Sequence, residues 1–320
     1  MMYVLGIDAG GTKTTCLLAD ANGQIVGEGR GGGANLQVHG ELEVEKVLHR
    51  VIEQAMGDRH ILPTAVCLGV AGVDRPDDHR VVCDIVRRLG YRSHAIVVND
   101  AHVALVAGTG DEPGVVLISG TGSIAYGVNG EGYAARAGGW GYILGDEGSG
   151  YWIGRKALAA VVREADGRGA RTALTPIMLE HFGLGRVDGL VHEVYDSKLP
   201  RQMIAKLGPL VDRARADGDV VASEILRCAG EELTGAAASV IERLGMRGMP
   251  FRVVLAGGMF RTIPWLVENV VSRLAEVAPR ATVGQLDVEP AQGAVHLALR
   301  ESRGGVRIPP YIEARDSTPA

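Results

Sequence analysis

Short apolar runs separated by turn residues dominate the first 110 positions of the chain. Stretches that alternate or run apolar between turns such as Ala21-Asn22-Gly23 predict an antiparallel three-stranded meander. Apolar residues at helical spacing then predict helices, and the buried runs between them predict strands. The strands are predicted at 3–8, 15–20, 25–30, 65–72 and 95–100, and the helices at 41–57, 77–90 and from Asp100 onward. This order makes one complete α/β unit by about residue 110.

The same pattern restarts near residue 114, so the sequence predicts a duplicated architecture. Strand, Gly/Thr turn, strand, Asn-Gly turn and strand are predicted over 114–139. Helices follow to about residue 245, then a strand at 252–260 that enters a Gly-Gly turn, a helix from near Thr262, a strand and a last helix. We expect three regions: an N-terminal α/β domain (1–113), a C-terminal α/β domain whose last helix returns to the first (114–302), and a flexible tail (303–320).

Composition narrows the function classes. The 320 residues carry a formal net charge of −5, so a nucleic-acid partner is not expected. No apolar run reaches membrane-spanning length and the start of the chain lacks a signal-peptide layout, so we expect a cytoplasmic protein without a membrane partner. The cysteines form no CxxC pair and the histidines no HExxH motif, which disfavours a disulfide framework or a protein-only metal cage. The cysteines are Cys16, Cys67, Cys83 and Cys228.

Glycine is the compositional outlier, with 46 residues. The glycines cluster between apolar runs, where the backbone must turn sharply or approach a ligand closely. The clusters lie at 10–11, 31–33, 120–122, 138–141, 145–150 and 257–258. This distribution favours an enzyme that handles a nucleotide or a sugar over an inert scaffold.

The turn in GIDAGGTKT (6–14), at the end of the first predicted strand, has two interpretations. In the first, the backbone N–H groups and hydroxyls around Gly10, Gly11 and Thr12 face a triphosphate, and Asp8 holds Mg²⁺ directly or through water. In the second, the turn is an ordinary hairpin in which Asp8 is a turn former. The recurrence of a similar turn at 117–123 favours the phosphate interpretation.

That second turn contains a G-x-G-x-x-A pattern at Gly120, Gly122 and Ala125. A dinucleotide-binding fingerprint requires a helix directly after it, whereas SIAYGVNGEG predicts a strand that ends in an Asn-Gly turn. The sequence also lacks GxxxxGK[ST], the phosphate-loop motif of P-loop NTPases. Both of these nucleotide-binding classes are therefore rejected.

Asp100 stands where a buried strand ends and a helix begins. It is a candidate helix N-cap. It is also a candidate general base, because α/β proteins bind ligands at the carboxyl ends of strands. The two roles are compatible, since a cap would orient the carboxylate.

Residues 137–154, AGGWGYILGDEGSGYWIG, form the least generic stretch of the chain. Aromatic rings such as that of Trp140 stack on sugar faces, and a carboxylate such as Asp146 accepts bonds from several hydroxyls. The structural alternative places Trp140 in the core and makes Asp146 a helix cap. Loops this rich in glycine are rarely only connectors, which favours binding. The segment LAGGMF (255–260) suits close approach of an adenosine, or a plain strand–helix turn.

Together these motifs resemble the actin/hexokinase/Hsp70 ATPase superfamily. GIDAGGTKT is similar to its first phosphate loop, LISGTGS to its second and VLAGGMF to its adenosine segment. Within it, VVND, GVVLISGTGS and GGWGYILGDEGSGYWIG resemble the N-acetylglucosamine kinase branch of the BadF/BadG/BcrA/BcrD ATPase family. The resemblance covers about residues 3–300. It implies an α/β fold of two ribonuclease-H-like (actin-like ATPase) domains with a cleft between them that closes on ATP and sugar, and a homodimer.

The resemblance also implies roles for individual residues. Asp100 would accept the proton of the sugar 6-hydroxyl, while Asp8 remains the candidate Mg²⁺ residue. ATP contacts would fall on Gly10, Gly11, Thr12, Lys13, Gly120, Thr121, Gly122, Ala214, Gly257 and Gly258. Sugar contacts would fall on Asn35, Asp100, Ser123, Gly139, Trp140, Gly141, Tyr142 and Asp146.

These roles lead to the hypothesis of an ATP- and Mg²⁺-dependent kinase for the 6-hydroxyl of an amino sugar, with N-acetylglucosamine as the first choice. The residue equivalent to Tyr142 often differs in the family, so glucosamine and N-acetylmuramate stay open as substrates. An iron–sulfur activator of acyl-CoA reductases or dehydratases, from the same broad family, is disfavoured because no cysteine lies in a suitable glycine-rich loop. A sugar-sensing regulator on the same fold is the non-enzyme alternative.

Overall fold

The computed structural model describes residues 2–59, 61–91, 95–196 and 199–312. Over these residues the chain forms two five-stranded sheets with helices packed against them. The strands β1 to β10 are Tyr3–Ala9, Lys13–Asp20, Ile25–Gly32, Ala65–Val70, Ala95–Asn99, Gly114–Ser119, Ser123–Val128, Ala134–Gly138, Arg252–Ala256 and Thr282–Gln285. The α-helices α1 to α13 are Leu36–His39, Glu41–Met56, Pro76–Arg88, Asp100–Thr109, Gly150–Ala165, Leu174–Phe182, Gly189–Val191, Arg201–Ala205, Gly208–Ala216, Val220–Arg243, Gly258–Thr262, Pro264–Val277 and Ala291–Ser302. A π-helical turn, His192–Asp196, follows α7.

The two sheets have the same topology, as the duplicated sequence pattern predicts. The strand order is β3-β2-β1-β4-β5 in one sheet and β8-β7-β6-β9-β10 in the other. In each sheet the first two pairs are antiparallel, which confirms the predicted meanders, and the last two pairs are parallel. β4 is buried along its whole length, as expected for a parallel strand covered on both faces.

The last helix, α13, packs against the first sheet. A Cβ on Gly6 of β1 would lie 2.3 Å from the backbone nitrogen of Val295, so only a glycine lets the helix approach this strand so closely. On its other side, a Cβ on Gly293 would lie 2.0 Å from the carbonyl oxygen of Val103 in α4. The chain thus returns to its N-terminal half, while the domain boundaries at residues 113 and 302 stay predictions.

Helices α5–α10 lie between β8 and β9 and build the core of the second half. The longest of them, α10, buries Ile225, Leu226, Ala229 and Leu233 at helical spacing. Its N-cap is Asp219, whose side chain accepts a hydrogen bond from the backbone N–H of Ala222. None of the helices in the described part of the chain has both the length and the apolar character that a membrane span requires.

Two segments add detail to the sequence-based predictions. The helix expected from near Thr262 begins at Gly258 as α11, and α12 begins only at Pro264. The tail was predicted to be flexible from residue 303, but Pro310 and Ile312 each make a backbone hydrogen bond of 2.8 Å to Ala134 of β8. β8 offers an open edge with which this segment pairs, while the flexibility of the tail stays a prediction. Residues 313–320 lie outside the described residues.

Candidate active site

The two Gly/Thr turns meet. The hydroxyl oxygens of Thr12, between β1 and β2, and of Thr121, between β6 and β7, lie 3.0 Å apart. Each turn is closed by a backbone hydrogen bond, donated by Gly10 in the first and by Gly120 in the second. A strand follows each turn directly, so the rejection of the dinucleotide-binding fingerprint is confirmed. Two facing turns of small residues that carry hydroxyl groups suit a polyphosphate.

The Gly-Gly turn after β9 lies directly against the second of these turns. Gly257 has a φ of 106°, and a Cβ there would lie 2.3 Å from the carbonyl oxygen of Ser119. By contrast, a Cβ on Gly258 would meet no atom within 4 Å. The turn is therefore packed on one side and open on the other, which is compatible with the predicted adenosine contact.

Asp8 is buried near the carboxyl end of β1. Burial, together with the carboxylates of Asp100 and Glu289, raises its pKa to about 8 against the opposing effect of Lys13. The Lys13 ammonium itself donates a hydrogen bond of 2.8 Å to Glu289, and Arg30 lies 3.6 Å from the same carboxylate. Lys13, predicted to contact ATP, is therefore engaged with an acidic residue that the sequence reading missed.

Asp8 fits the predicted Mg²⁺. In nucleotide sites this ion is commonly bound by one or two carboxylates together with phosphate oxygens and waters. Within the described ranges, no group of three or more His, Cys, Asp or Glu side chains could hold a metal by itself. A buried carboxyl close to other carboxylates gains from a nearby dication, because the ion favours its ionised form. Asp8 would therefore hold the ion jointly with the nucleotide.

Asp100 is the first residue of α4, at the end of β5. Its Oδ1 accepts a hydrogen bond of 3.0 Å from the backbone N–H of Ala101. The helix cap is the preceding residue, Asn99, whose Oδ1 accepts from the same N–H at 2.8 Å. The interpretation of Asp100 as the cap is thus wrong by one position. Burial, reinforced by the nearby Asp74 carboxylate, raises the pKa of Asp100 to about 6, a value suited to a general base near neutral pH.

The loop that carries Asp146 is fastened to the second Gly/Thr turn. The Asp146 carboxylate lies 3.4 Å from the donating N–H nitrogen of Ser123, and a Cβ on Gly122 would lie 2.9 Å from its Oδ2. The Ser123 hydroxyl donates to the carbonyl of Glu147 at 2.7 Å. Asp146 has a φ of 61°, unusual for a residue with a side chain, and such strain is often found at functional sites.

Asp146 is not a helix cap, so the structural interpretation of this residue is wrong. The N-cap of α5 is Ser149, whose hydroxyl oxygen accepts a hydrogen bond of 3.1 Å from the N–H of Trp152. Burial is the main reason that the pKa of Asp146 is raised, although the Ser123 N–H and the charge of Arg201 oppose the rise. The Asp146 carboxylate therefore does not cap a helix, and it lies beside the second Gly/Thr turn.

The aromatic residues of the loop lie at the surface. Trp140 is 55% exposed, which excludes the alternative that it is a core residue, and the Arg136 guanidinium lies 4.5 Å from its ring centroid. Tyr142 is stacked by Arg201 of α8 at 4.5 Å and meets Tyr151 edge-on. Gly139 and Gly141, on either side of Trp140, have φ values of 70° and 87°, which favour glycine. The loop therefore presents aromatic rings at the surface.

Asn35 occupies the N-cap position of the short helix α1 without a side-chain capping bond, and its Oδ1 is buried without a hydrogen-bond partner in the structure. A buried amide oxygen of this kind needs a donor, and a sugar hydroxyl is one that could supply it. The Nδ2 atom of Asn35 lies close to Gly72, in the turn after β4. This turn also contains Asp74, which contacts the side chain of Asn99 beside Asp100.

Ala214, which was predicted to contact ATP, is buried within α9 as part of the second core, and its contact with ATP stays a prediction. The helical region also reaches the first phosphate turn through Gln202 of α8, whose Nε2 lies 3.5 Å from the carbonyl oxygen of Gly11. Other residues that the sequence reading missed are Asp74, Arg136, Arg201 and Glu289.

A family model matches residues 5–298 of the chain, and it describes the BadF/BadG/BcrA/BcrD ATPase family. The chain belongs to this family. The chain is also similar over nearly its full length to an N-acetylmuramic acid/N-acetylglucosamine kinase of Clostridium acetobutylicum. The two sequences are 38% identical over 94% of this chain and 99% of the relative. An N-acetyl-D-glucosamine kinase of Dictyostelium discoideum is 35% identical over 93% and 98% of the two chains.

The BadF/BadG/BcrA/BcrD assignment agrees with a solved structure. A provisionally assigned N-acetylglucosamine kinase from Chromobacterium violaceum superposes with a TM-score of 0.76 at 27% identity, over 93% of this chain and 99% of that one. The two sheets are accordingly the cores of a two-domain actin-like ATPase fold. The predicted fold class and family are confirmed.

All four cysteines lie within the described residues, and none is in a glycine-rich turn. Cys16 and Cys67 are buried in β2 and β4, where burial raises the pKa of both thiols. Cys83 and Cys228 lie on helices α3 and α10. The arrangement gives no support to the iron–sulfur activator class within the family.

Proposed function

We propose that this protein is an ATP-dependent kinase that transfers the γ-phosphoryl group to the 6-hydroxyl of N-acetylglucosamine. One observation carries the proposal: the loop predicted to bind sugar is fastened to the second phosphate turn through the contacts of Asp146 with Gly122 and Ser123. A phosphoryl donor and its acceptor must lie this close for direct transfer. The kinase names of both sequence relatives support it further.

The chemistry assigned to the chain is mainly positioning and proton removal. The turns around Thr12 and Thr121 hold the triphosphate, with Gly257 and Gly258 against the adenosine. When bound at Asp8, Mg²⁺ neutralises charge on the phosphates. The 6-hydroxyl oxygen attacks the γ-phosphorus, the bond from that phosphorus to ADP breaks, and the hydroxyl proton passes to Asp100.

The sugar is held by groups with complementary roles. Asp146 accepts hydrogen bonds from hydroxyls, and the unpartnered Oδ1 of Asn35 accepts one more. The exposed ring of Trp140 covers an apolar sugar face, with Ser123, Gly139, Gly141 and Tyr142 completing the wall. Closure of the domains on both substrates excludes water, so that the sugar rather than water is phosphorylated. The homodimer and the cytoplasmic location stay predictions.

N-acetylmuramate is a second candidate substrate, and Arg201 is the observation that favours it. This sugar carries a carboxylate on a lactyl ether, which N-acetylglucosamine lacks. Arg201 lies over Tyr142 and close enough to Asp146 to affect its pKa, and within the described ranges its guanidinium makes no ion pair within 4.0 Å. A cation so placed is able to bind the lactyl carboxylate.

We expect Arg201→Gln to lower kcat/KM for N-acetylmuramate by about 10- to 100-fold, the effect of losing a hydrogen bond between charged groups. The kcat/KM for N-acetylglucosamine should change by no more than about threefold, because this sugar has no carboxylate for the guanidinium to bind. Arg155→Gln, an exposed site on α5, is the matched control. Equal losses for both sugars would contradict the selective role of Arg201.

A panel of N-acetylglucosamine, glucosamine, N-acetylmuramate and glucose, assayed by sugar-dependent release of ADP, tests the proposed function. We expect N-acetylglucosamine to give the highest kcat/KM. ATP hydrolysis that no sugar stimulates would contradict the proposal and would favour an activator-type ATPase.

A further inference from the structure

Asp74, in the turn between β4 and α3, receives donors from three separate parts of the chain. Its Oδ2 accepts a hydrogen bond of 2.8 Å from the Asn99 side-chain amide, and Nε of Arg136 lies 3.2 Å from the same oxygen. Its Oδ1 accepts a hydrogen bond of 2.9 Å from the hydroxyl of Tyr311. The Asp74 and Arg136 side chains are only 15% and 20% exposed, so the contact between them is largely shielded from water, whereas Tyr311 lies at the surface.

These contacts join the two halves of the molecule. Asp74 lies in the turn after β4 and Asn99 is the last residue of β5, both in the first sheet. Arg136 belongs to β8 in the second sheet. Tyr311 lies in the tail segment that pairs with Ala134 of β8. We refer to Asp74, Arg136 and Tyr311 as the clasp.

The clasp reaches the proposed base through one side chain. The Asn99 amide donates to Asp74 and its oxygen accepts from the N–H of Ala101, so both ends of the amide are fixed. Asp100 lies between Asn99 and Ala101 in the chain, and its carboxylate accepts a hydrogen bond from the same Ala101 N–H. Any rotation of the Asn99 amide would therefore change the hydrogen bonding of the Asp100 carboxylate.

The clasp also touches the predicted sugar loop. The Arg136 guanidinium that approaches Asp74 donates a hydrogen bond of 2.9 Å to the carbonyl of Gly138 and lies over the ring of Trp140. One side chain thus contacts both the acidic centre of the clasp and the loop of the proposed acceptor site.

We infer that Asp74 is a positioning residue for Asp100, and that Arg136 and Tyr311 make this positioning depend on the docking of the second sheet and the tail. The inference rests on the proposed role of Asp100 as base. Its physical basis is that a carboxylate held by three donors from three elements keeps one orientation only while all three are seated. Misplacement of a reacting group by about 1 Å costs on the order of 100-fold in rate.

The charges around Asp100 give the inference a distinctive signature. Asp8 of β1 and Asp74 each interact electrostatically with Asp100, and Arg136 and Tyr311 contact Asp74. The negative charge of Asp74 contributes to the raised pKa of Asp100. Removal of that charge should lower the pKa, so the base stays ionised to lower pH.

The test compares Asp74→Asn, Asp74→Glu and Tyr311→Phe with wild type, using ATP and N-acetylglucosamine. We expect Asp74→Asn to lower kcat by about 10- to 100-fold with both KM values within about threefold, and to move the acid limb of the kcat–pH profile to lower pH. Asp74→Glu should lower kcat but leave the acid limb at its wild-type pH. Tyr311→Phe should lower kcat by about 2- to 10-fold. Tyr195→Phe, on the exposed π-helical turn, is the control.

An unchanged kcat and acid limb in Asp74→Asn would overturn the inference. If the Asp74 variants do not fold, Tyr311→Phe decides alone, since it keeps every backbone contact, and a wild-type kcat in it would overturn the inference. Hydrogen exchange separates this outcome from a failure of the proposed function. Even if wild type phosphorylates no sugar, Tyr311→Phe should speed exchange at the N–H groups of Ala101 and Ile312, and unchanged exchange there would overturn the clasp.

Discussion

The Asp100→Asn enzyme should bind N-acetylglucosamine as wild type does but turn over about 1000-fold more slowly, within the range that general base catalysis supplies. An amide has nearly the shape of a carboxylate, so the hydrogen bond from the Ala101 N–H is kept. What is lost is the ability to take the hydroxyl proton. Steady-state kinetics and sugar binding by calorimetry measure the two effects separately.

The pH profile belongs to the same prediction. Asp100 acts as a base only when ionised, and its pKa is raised to about 6, so wild-type kcat should rise with pH through this region and level off above it. The residual activity of Asp100→Asn should lack that limb. Asp111→Asn, beyond the opposite end of the same helix, is the control for removing a carboxylate that lies away from the site. Near-normal kcat in Asp100→Asn would remove this residue from the mechanism.

Gly257→Ala should destabilise the protein by about 3 kcal/mol or more and abolish measurable ATP binding. The new Cβ would overlap the Ser119 carbonyl oxygen at 2.3 Å, and the φ of 106° is strained for any residue with a side chain. Overpacking and strain of these kinds each cost about 1–3 kcal/mol. Relief would require Ser119 and Gly120 to move, which would displace the second phosphate turn. Thermal melts with and without ATP measure both effects.

Gly258→Ala is the matched control for stability. It changes the next residue, where an added Cβ meets no atom within 4 Å, so the melting temperature without ligand should stay close to that of wild type. Since Gly258 is assigned to the adenosine side of the turn, its KM for ATP is expected to rise. Equal melting temperatures for the two variants would contradict the packing argument for Gly257.

The fold was predictable because its signals are local. Apolar runs, Asn-Gly turns and Gly/Thr turns repeat in both halves, and each half forms the same sheet. The turns at Thr12 and Thr121 were found for the same reason, since a strand on either side of a glycine turn is visible in the sequence. The last helix was recognised as a helix by its periodicity, and Gly6 explains why it packs on β1.

The sequence is silent on positions that tertiary packing decides. Ala214 was assigned to ATP only through the family resemblance, and no local pattern shows that its side chain is buried in the second core, because helix orientation depends on partners far away in the chain. Asp146 misses the cap position by three residues, since the left-handed backbone there turns its carboxylate toward Ser123. Asp74 and Tyr311 are 237 positions apart, and no local pattern predicts their contact.

The position of phosphate on the product tests the central claim most directly. Wild-type enzyme would be incubated with ATP, Mg²⁺ and N-acetylglucosamine labelled with carbon-13 at C6, and the product examined by carbon-13 and phosphorus-31 NMR. The account predicts stoichiometric ADP and a C6 resonance split by coupling to phosphorus. Phosphate on any other carbon, or ADP formed without a phosphorylated sugar, would contradict it.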